Sequence, residues 1–377
     1  MSLSTNGNER RAAPSLFTVA SSPHISSGSM TSAIMRDVLI ALLPGLAAGA
    51  WLFGARSLLV AGVTVASCVA AEYASRRVLA RPQTVGDLSA AVTGLLLAMN
   101  LPPSIELWKA AVGGAFAIVV VKQIFGGIGQ NFMNPALAAR IVLLTSWGQS
   151  MTHWTEPSRY ILLPRSGAGG AAAAAAAAAS ANAGAGAGAD AAAFVAGSAG
   201  VDAVSAATPM ALAKTLFKAG AAAQSEVGRT LPSYIDMFLG NVAGCIGETC
   251  AAALLIGCAY LLARKVITWH IPVTYVAVVA ALTWAFGGGA GLFTGDPLYH
   301  VLGGSLLLGA IYMATDYSTS PMTRKGKLIM GAGCGALTAC IRLFAGYPEG
   351  VSFAIVIMNV LVPLIDRYTK PKTFGTA

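Results

Sequence analysis

The chain has 377 residues, of which 56% are apolar and only 10% are charged, and its mean hydropathy is +0.69. Soluble domains carry about 25% charged residues, so this composition excludes an ordinary soluble domain and predicts a polytopic membrane protein. The formal net charge of +9 does not indicate a nucleic-acid partner. The Lys and Arg residues stand mostly between apolar segments, where they set topology in membrane lipid.

Ten apolar segments follow a polar N-terminal stretch that lacks the apolar core of a signal peptide. The segments are 38–54, 58–74, 88–101, 110–125, 135–147, 240–262, 271–286, 298–315, 328–345 and 351–365. The third, fifth and tenth are shorter than the roughly 20 residues that a simple span requires. Short segments bordered by Gly and Pro are typical of discontinuous helices around a binding site. We therefore predict an all-α fold of about ten transmembrane helices.

Arg and Lys residues concentrate before the first segment and after the second, fourth, sixth, eighth and tenth. The positive-inside rule then places both termini in the cytoplasm. The predicted units are a cytoplasmic tail (1–36), a first five-helix half (37–148), an extracytoplasmic loop (149–238), a second five-helix half (239–367) and a cytoplasmic tail (368–377).

A weak internal similarity relates the two halves. The phrase "GLLLAMNLPPS" in the third segment is similar to "SLLLGAIYMATDYSTSP" in the eighth, and a Gly-rich apolar segment follows each. Two halves with an odd number of spans would be inverted repeats, which place a site near their interface. Chance similarity between two apolar stretches is the alternative.

The long loop contains an almost pure Ala and Gly stretch, 166–200, which predicts a spacer. The polar phrase "VDAVSAATPM" follows it. Pro209 suits the first turn of a helix, which places Thr208 at the N-cap; Ser205 is a second candidate cap and Asp202 adds a favourable charge. Two interpretations remain open at this point. Thr208 is an ordinary cap, or its exposed hydroxyl carries an anionic group, because a helix N-terminus attracts phosphate.

Polar side chains inside apolar segments are the second group of candidates, since charges are costly in a membrane and are usually functional. Arg140 lies in the fifth segment, Glu248 in the sixth, and Asp316 ends the eighth. Asn134 precedes Pro135, which predicts a helix start that faces "TDYSTSP". These groups could line an ion path or a cofactor pocket; Arg–carboxylate pairing and ordinary capping are the alternatives. The charges nearer segment ends are Glu72, Arg342 and Asp366.

Several chemistries find no support in the sequence. The six cysteines lie in apolar segments without a CxxC motif, which indicates buried helix residues rather than metal or cluster ligands. The four histidines lack the paired spacing of haem ligands. Nucleotide-binding loops and catalytic triads are also missing from the sequence. We therefore predict neither a metal site nor a catalytic residue in this chain.

Five phrases resemble, in order and spacing, the D subunit of the Rnf (Rsx) ion-translocating electron transport complex. They are also similar, more distantly, to the B subunit of the sodium-pumping NADH:quinone oxidoreductase. The phrases are "GGIGQNFMNPALAAR" (126–140), "DAVSAATPM" (202–210), "GNVAGCIGET" (240–249), "RKVITWHIPVTY" (264–275) and "MATDYSTSPMTRKGK" (313–327). The resemblance covers nearly the whole chain from about residue 21, apart from the Ala-rich insert.

The resemblance implies a flavoprotein that carries FMN on a phosphoester bond to a threonine, in a pattern like D-x-x-[ST]-G-A-T. This pattern maps to Asp202, Ser205 and the acceptor Thr208, with Ala206 where the family usually has Gly. The resemblance also implies a separate flavin transferase that would attach the FMN outside the cytoplasmic membrane, and a second, non-covalent flavin (riboflavin) in the membrane part.

The resemblance further implies a place in the bacterial inner membrane, with the Thr208 loop in the periplasm. The chain would relay electrons among the other subunits of a ferredoxin- and NAD-linked complex that moves ions. Alone it would not be catalytic. A solute channel or carrier of the urea or ammonium type, and a scaffold without a redox role, are the alternatives.

Overall fold

The computed structural model describes residues 31–158, 208–219, 231–288, 291–347 and 349–369. Every regular element in these ranges is a helix, which confirms the all-α prediction. In chain order the helices are α1 (Thr31–Phe53), α2 (Ala55–Val78), α3 (Ser89–Met99), α4 (Leu107–Phe116, continued by the π-helical Ala117–Gln123), α5 (Pro135–Ser146), α6 (Gly148–Thr152), α7 (Pro209–Ala219), α8 (Tyr234–Leu239), α9 (Ala251–Ala263), α10 (His270–Phe286), α11 (Pro297–Leu302), α12 (Leu306–Leu308, continued by the π-helical Gly309–Met313), α13 (Arg324–Phe344) and α14 (Val351–Thr369). A 3₁₀ turn, Val85–Asp87, precedes α3.

Among the residues that the structure describes, four helices are long and apolar enough to cross a membrane, namely α1, α2, α13 and α14. Four more are apolar but shorter: α3, α5, α9 and α10. The third and fifth apolar segments of the sequence are therefore short helices, as predicted. The tenth was predicted to be short as well, and this is wrong, because α14 has 19 residues and continues into its polar end.

Helix α1 begins inside the stretch that we assigned to the N-terminal tail. Its first residue is Thr31, because the backbone hydrogen bonds of the helix extend toward the N-terminus beyond the apolar segment 38–54. The Asp37 carboxylate in its second turn accepts hydrogen bonds from Tyr260 and from Arg264, both at 3.2 Å. Helix α1 is thereby fixed to the C-terminal end of α9. Residues 1–30 and 370–377 lie outside the described residues.

The sixth apolar segment, predicted as one helix over 240–262, is helical only from Ala251. Three glycines in "GNVAGCIGETC" disfavour a helix, and the backbone finds partners elsewhere. The amides of Ile246 and Gly247 donate to the carbonyls of Leu101 and Met99, at 3.1 and 2.9 Å. This irregular stretch therefore lies buried against the C-terminal end of α3.

The eighth apolar segment is also interrupted. Helix α11 ends before Gly303, and Gly304 has a φ of +72°, a conformation that favours glycine. The chain becomes helical again in α12, which ends in a π-helical turn. Helix α4 ends in the same way. Breaks of this kind at membrane depth require partners from the surrounding protein.

Helices pack against each other both within and between the two predicted halves of the chain. Helix α2 packs against α3 and α4, and α10 packs against α11 and α13. The last helix of each half packs against the one before it, α5 on α4 and α14 on α13. Contacts between halves include α1 with α9 and α5 with α14. The irregular backbone and the broken helices thus lie where the two halves meet.

Candidate functional site

Thr208 is the N-cap of α7, as the sequence predicts. Its Oγ1 accepts a hydrogen bond from the amide of Ala211 at 3.2 Å, and its carbonyl accepts one from Leu212 at 3.0 Å. The Tyr299 hydroxyl donates to the carbonyl of Pro209 at 3.1 Å, so the first turn of α7 is fixed to α11. Asp202 and Ser205 lie outside the described residues.

The Thr208 side chain is only 5% exposed, so the expectation of an exposed hydroxyl is wrong. The cause is the apolar residue that follows Pro209. Met210 is fully buried, and its sulfur lies close to Gly303 at the break after α11. Burying Met210 draws the start of α7 into the protein, and Thr208 moves with it.

A small crevice borders Thr208. Its volume is about 280 Å³ with its opening included, and its walls include Glu248 and Thr249 from the irregular stretch as well as Gly303 and Gly304 from the helix break. The Glu248 Oε1 atom accepts a hydrogen bond from the amide of Cys245 at 3.0 Å. Among the described residues, neither Glu248 Oε2 nor Thr249 Oγ1 has a hydrogen-bond partner.

Arg140 lies next to this crevice and links three elements. Its Nη1 donates to the Asn100 Oδ1 atom at 2.7 Å, and its Nη2 donates to Glu349 Oε2 at 3.2 Å and to the Cys245 sulfur at 3.8 Å. Glu349 also accepts from the amide and hydroxyl of Ser305, at 3.0 and 2.8 Å. Arg140 therefore joins α5 to the end of α3 and to the loop before α14.

A second arginine supports the helix break. Arg342, buried on α13, donates to the carbonyls of His300 and Gly303 at 2.5 and 3.1 Å. The carbonyls at the C-terminus of a helix lack partners within the helix and favour a nearby cation. The sequence places Arg342 near a segment end and does not predict this role, because the acceptors are backbone atoms 42 and 39 positions away.

A different site lies at the start of α5. Asn134 Oδ1 accepts from the amides of Ala136 and Leu137 at 3.0 and 3.4 Å, and its Nδ2 donates to the Met313 carbonyl at 3.3 Å. The predicted start of a helix facing the end of the eighth segment is thereby confirmed. Asp316, three residues beyond Met313, accepts from Ser318 at 3.0 Å.

Asn134 and Asp316 line one cavity of about 780 Å³, a volume that includes its opening. The walls are mostly apolar, with residues from α1, α3 and α9. Lys122 lies in the wall and makes a buried ion pair with Glu72 at 2.9 Å and a hydrogen bond to Ser89 at 2.6 Å. Gln123 also donates to Glu72, at 2.9 Å. Polar groups are thus available along one edge of an otherwise apolar space.

The four intramembrane candidates do not form one group. Arg140 and Glu248 lie together beside the Thr208 crevice, with Cys245 in contact with both, whereas Asn134 and Asp316 line the cavity. Helix α5 connects the two sites, since Asn134 and Arg140 are six positions apart, about 9 Å along a helix. Asn100, Ser305 and Glu349 are part of the arrangement, and no sequence pattern predicted their contacts.

These features define a polytopic α-helical membrane protein in which interrupted helices surround buried polar groups. Residues 18–375 match the model of the NQR2, RnfD, RnfE family. The chain belongs to this family, which confirms the resemblance inferred from the five phrases.

Three relatives match over nearly their full length. The chain is 43% identical to the D subunit of the Na(+)-translocating ferredoxin:NAD(+) oxidoreductase complex of Acetobacterium woodii, with 95% of each chain covered. It is 39% identical to the D subunit of the proton-translocating ferredoxin:NAD(+) oxidoreductase complex of Clostridium ljungdahlii, over 98% of this chain and 99% of that one. It is 38% identical to the D subunit of the ion-translocating oxidoreductase complex of Citrobacter koseri, over 96% and 99%.

Proposed function

We propose that this chain is the D subunit of an Rnf-type complex in the bacterial inner membrane. There it relays electrons between partner subunits of a ferredoxin- and NAD-linked oxidoreductase that translocates ions. Its family and its full-length similarity to D subunits of such complexes support this assignment. The charge distribution supports cytoplasmic termini and a periplasmic Thr208 loop.

The position of Thr208 is the observation that carries the cofactor part of the proposal. Its hydroxyl is at the N-terminus of an 11-residue helix, where backbone N–H groups and the helix dipole favour a phosphate. FMN joined there would supply the redox chemistry, and the chain would position it. The crevice beside Thr208 is narrow and partly open, and it leaves room for only a small group. It therefore suits the phosphate, with the flavin ring outside.

The burial of Thr208 bears on how the flavin is attached. A transferase needs access to the hydroxyl, and the side chain is 5% exposed when α7 is packed. Attachment therefore requires a local opening of the first turn of α7 away from Tyr299, with Thr208 still beside the crevice. The Tyr299 hydroxyl bond to the Pro209 carbonyl then closes the site behind the phosphate.

The cavity at the start of α5 suits a second, non-covalent flavin such as riboflavin. Its apolar walls would accept the flat ring system, and Asn134, Asp316 and Lys122 offer hydrogen bonds to a polar edge. Helix α5, which also carries Arg140, would hold the two flavins at a fixed separation. An inverted arrangement of the two halves would place both flavins where the halves meet.

Fluorescence of the denatured chain after electrophoresis tests the covalent flavin. The chain is produced with its partner subunits and the transferase, as wild type and as Thr208→Ala and Ser205→Ala. A fluorescent band in wild type and Ser205→Ala, and a dark band in Thr208→Ala, is the expected result. A dark wild-type band beside fully loaded partner flavoproteins would contradict the electron relay. Solute flux in liposomes would then separate a channel or carrier from a scaffold.

A further inference from the structure

Two polar side chains in the Thr208 crevice lack partners although both are almost completely buried. Glu248 is 6% exposed and Thr249 is 2% exposed. Within the part of the chain that the structure describes, Glu248 Oε2 and Thr249 Oγ1 accept and donate no hydrogen bond. Buried polar groups are nearly always hydrogen-bonded, and leaving one unpaired is costly. Two such groups in the wall of one crevice therefore point to a ligand.

The two oxygens of Glu248 have different surroundings. Oε1 accepts from the Cys245 amide at 3.0 Å, as a carbonyl oxygen would, whereas Oε2 has no donor among the described residues. Neither nearby arginine donates to Oε2: Arg140 pairs with Glu349, and Arg342 donates to backbone carbonyls through both Nη atoms, while its Nε has no partner among the described residues. This pattern is that of a neutral carboxylic acid, with C=O at Oε1 and O–H at Oε2.

We infer that protonated Glu248 and Thr249 donate two O–H hydrogen bonds to the phosphodiester on Thr208, and so form its binding site. The inference rests on the proposed attachment of FMN to Thr208. An ionised Glu248 would repel the phosphodiester anion, whereas the neutral acid can donate to it. The charges then balance in the buried cluster, because the guanidinium groups of Arg140 and Arg342 are matched by Glu349 and the phosphodiester.

Substitutions at Glu248 can distinguish a neutral carboxylic acid, which donates a hydrogen bond, from an ionised carboxylate, which cannot. Gln reproduces the neutral acid, since its carbonyl can accept from Cys245 and its NH₂ group can donate to the phosphate. The variants Glu248→Gln, Glu248→Ala and Thr249→Val are produced in the full complex with the transferase, and the initial rate of flavin attachment is followed by in-gel fluorescence. Glu106→Gln is the matched control, because Glu106 is an exposed carboxylate outside the crevice.

Loss of one hydrogen bond to a charged group should lower the rate about tenfold in Glu248→Ala and in Thr249→Val. Glu248→Gln and Glu106→Gln should remain at the wild-type rate. If Glu248→Ala does not assemble, Thr249→Val, which removes only a hydroxyl, decides the outcome. Wild-type rates in Thr249→Val, or a loss in Glu248→Gln as large as in Glu248→Ala, would overturn the inference. If the wild-type chain shows no flavin fluorescence, the proposed attachment of FMN to Thr208 is itself contradicted.

Discussion

Arg140 and Glu349 are 209 positions apart in the chain, and their side chains meet with Nη2 and Oε2 3.2 Å apart. The contact joins α5 of the first half to the loop before α14 of the second. Both side chains are largely buried, with exposures of 9% and 14%. A buried pair of this kind adds little net stability, but removing one member leaves an uncompensated charge.

Arg140→Gln should therefore lower the free energy of unfolding by about 3–5 kcal/mol. The double variant Arg140→Gln/Glu349→Gln should recover part of this loss, because neither charge is then left alone. Thermal unfolding of the purified complex measures both effects. Lys109→Gln is the control, since the partner that it leaves behind, Glu106, is 52% exposed and can be hydrated, so the loss should be less than about 1 kcal/mol. Equal losses in the two single variants would contradict the argument.

The two flavin sites should lose their flavins independently. Asn134→Ala removes a polar group from the cavity wall, and Asp316→Asn replaces a carboxylate with a neutral amide. Both should reduce the flavin that acid extraction releases, while the fluorescent band of the denatured chain stays. Thr208→Ala should do the reverse. Asn134→Ala also removes the cap of α5, which costs about 1 kcal/mol and gives a smaller, separate loss of stability. Unchanged extractable flavin in both cavity variants would exclude this cavity.

Gly257 permits the close approach of α9 to its neighbours. A Cβ atom at this position would clash with the Ala41 carbonyl oxygen of α1 and with the Tyr312 hydroxyl of α12. Gly257→Ala should therefore destabilise the fold by about 1–3 kcal/mol, the usual cost of overpacking.

Gly62→Ala is the matched control, because Gly62 is also inside a helix and a Cβ there would meet no atom within 4 Å. Alanine is the better helix former, so this variant should be neutral or slightly more stable. The two melting temperatures, measured side by side, check the prediction. A neutral Gly257→Ala would show that α9 can move away from α1 without cost.

The Glu106 carboxyl group should make the stability of the folded protein depend on pH in a predictable direction. Hydrogen bonds from Lys109 Nζ and Trp108 Nε1, both 2.6 Å long, lower the pKa of the Glu106 carboxyl below its ordinary value. A carboxyl group whose pKa is lowered in the folded state stabilises the fold at pH values above its ordinary pKa. This stabilisation is lost as the pH falls through the lowered pKa.

The melting temperature of wild type should exceed that of Glu106→Gln by a constant margin from neutral pH down to about pH 4.3, the ordinary value for Glu. Below that pH the margin should shrink and then vanish. In a Lys109→Gln background the margin should be smaller throughout. A difference in melting temperature that grows as the pH falls would contradict this prediction.

The Ala-rich insert should be dispensable for flavin attachment. Deletion of 167–189, which lies outside the described residues, should leave the fluorescent band of the denatured chain at wild-type intensity. The contacts that fix Thr208 come from Tyr299, Ala211 and the crevice, all outside the deleted stretch. In-gel fluorescence at equal protein loading checks this. A dark band for the deletion variant would assign the insert a part in attachment.

The sequence by itself determined the features that depend on local chemistry. Low charge and long apolar segments required helices in a membrane. Pro135 after Asn134, and Pro209 after Thr208, marked two helix starts, because proline lacks an amide donor and suits the first helical turn. The order of the five phrases was enough to identify the family.

Only the tertiary structure decided which groups meet. The stretch 240–250 belongs to an apolar segment and was predicted to be helical, but two of its amides bond to the end of α3, more than 140 positions away. Arg140 pairs with Glu349, and Arg342 donates to backbone carbonyls. Both contacts also join residues that are far apart in the chain. Thr208 is buried because Met210 packs into the helix break after α11. Such pairings depend on how the two halves close against each other, and local propensity carries no information about that.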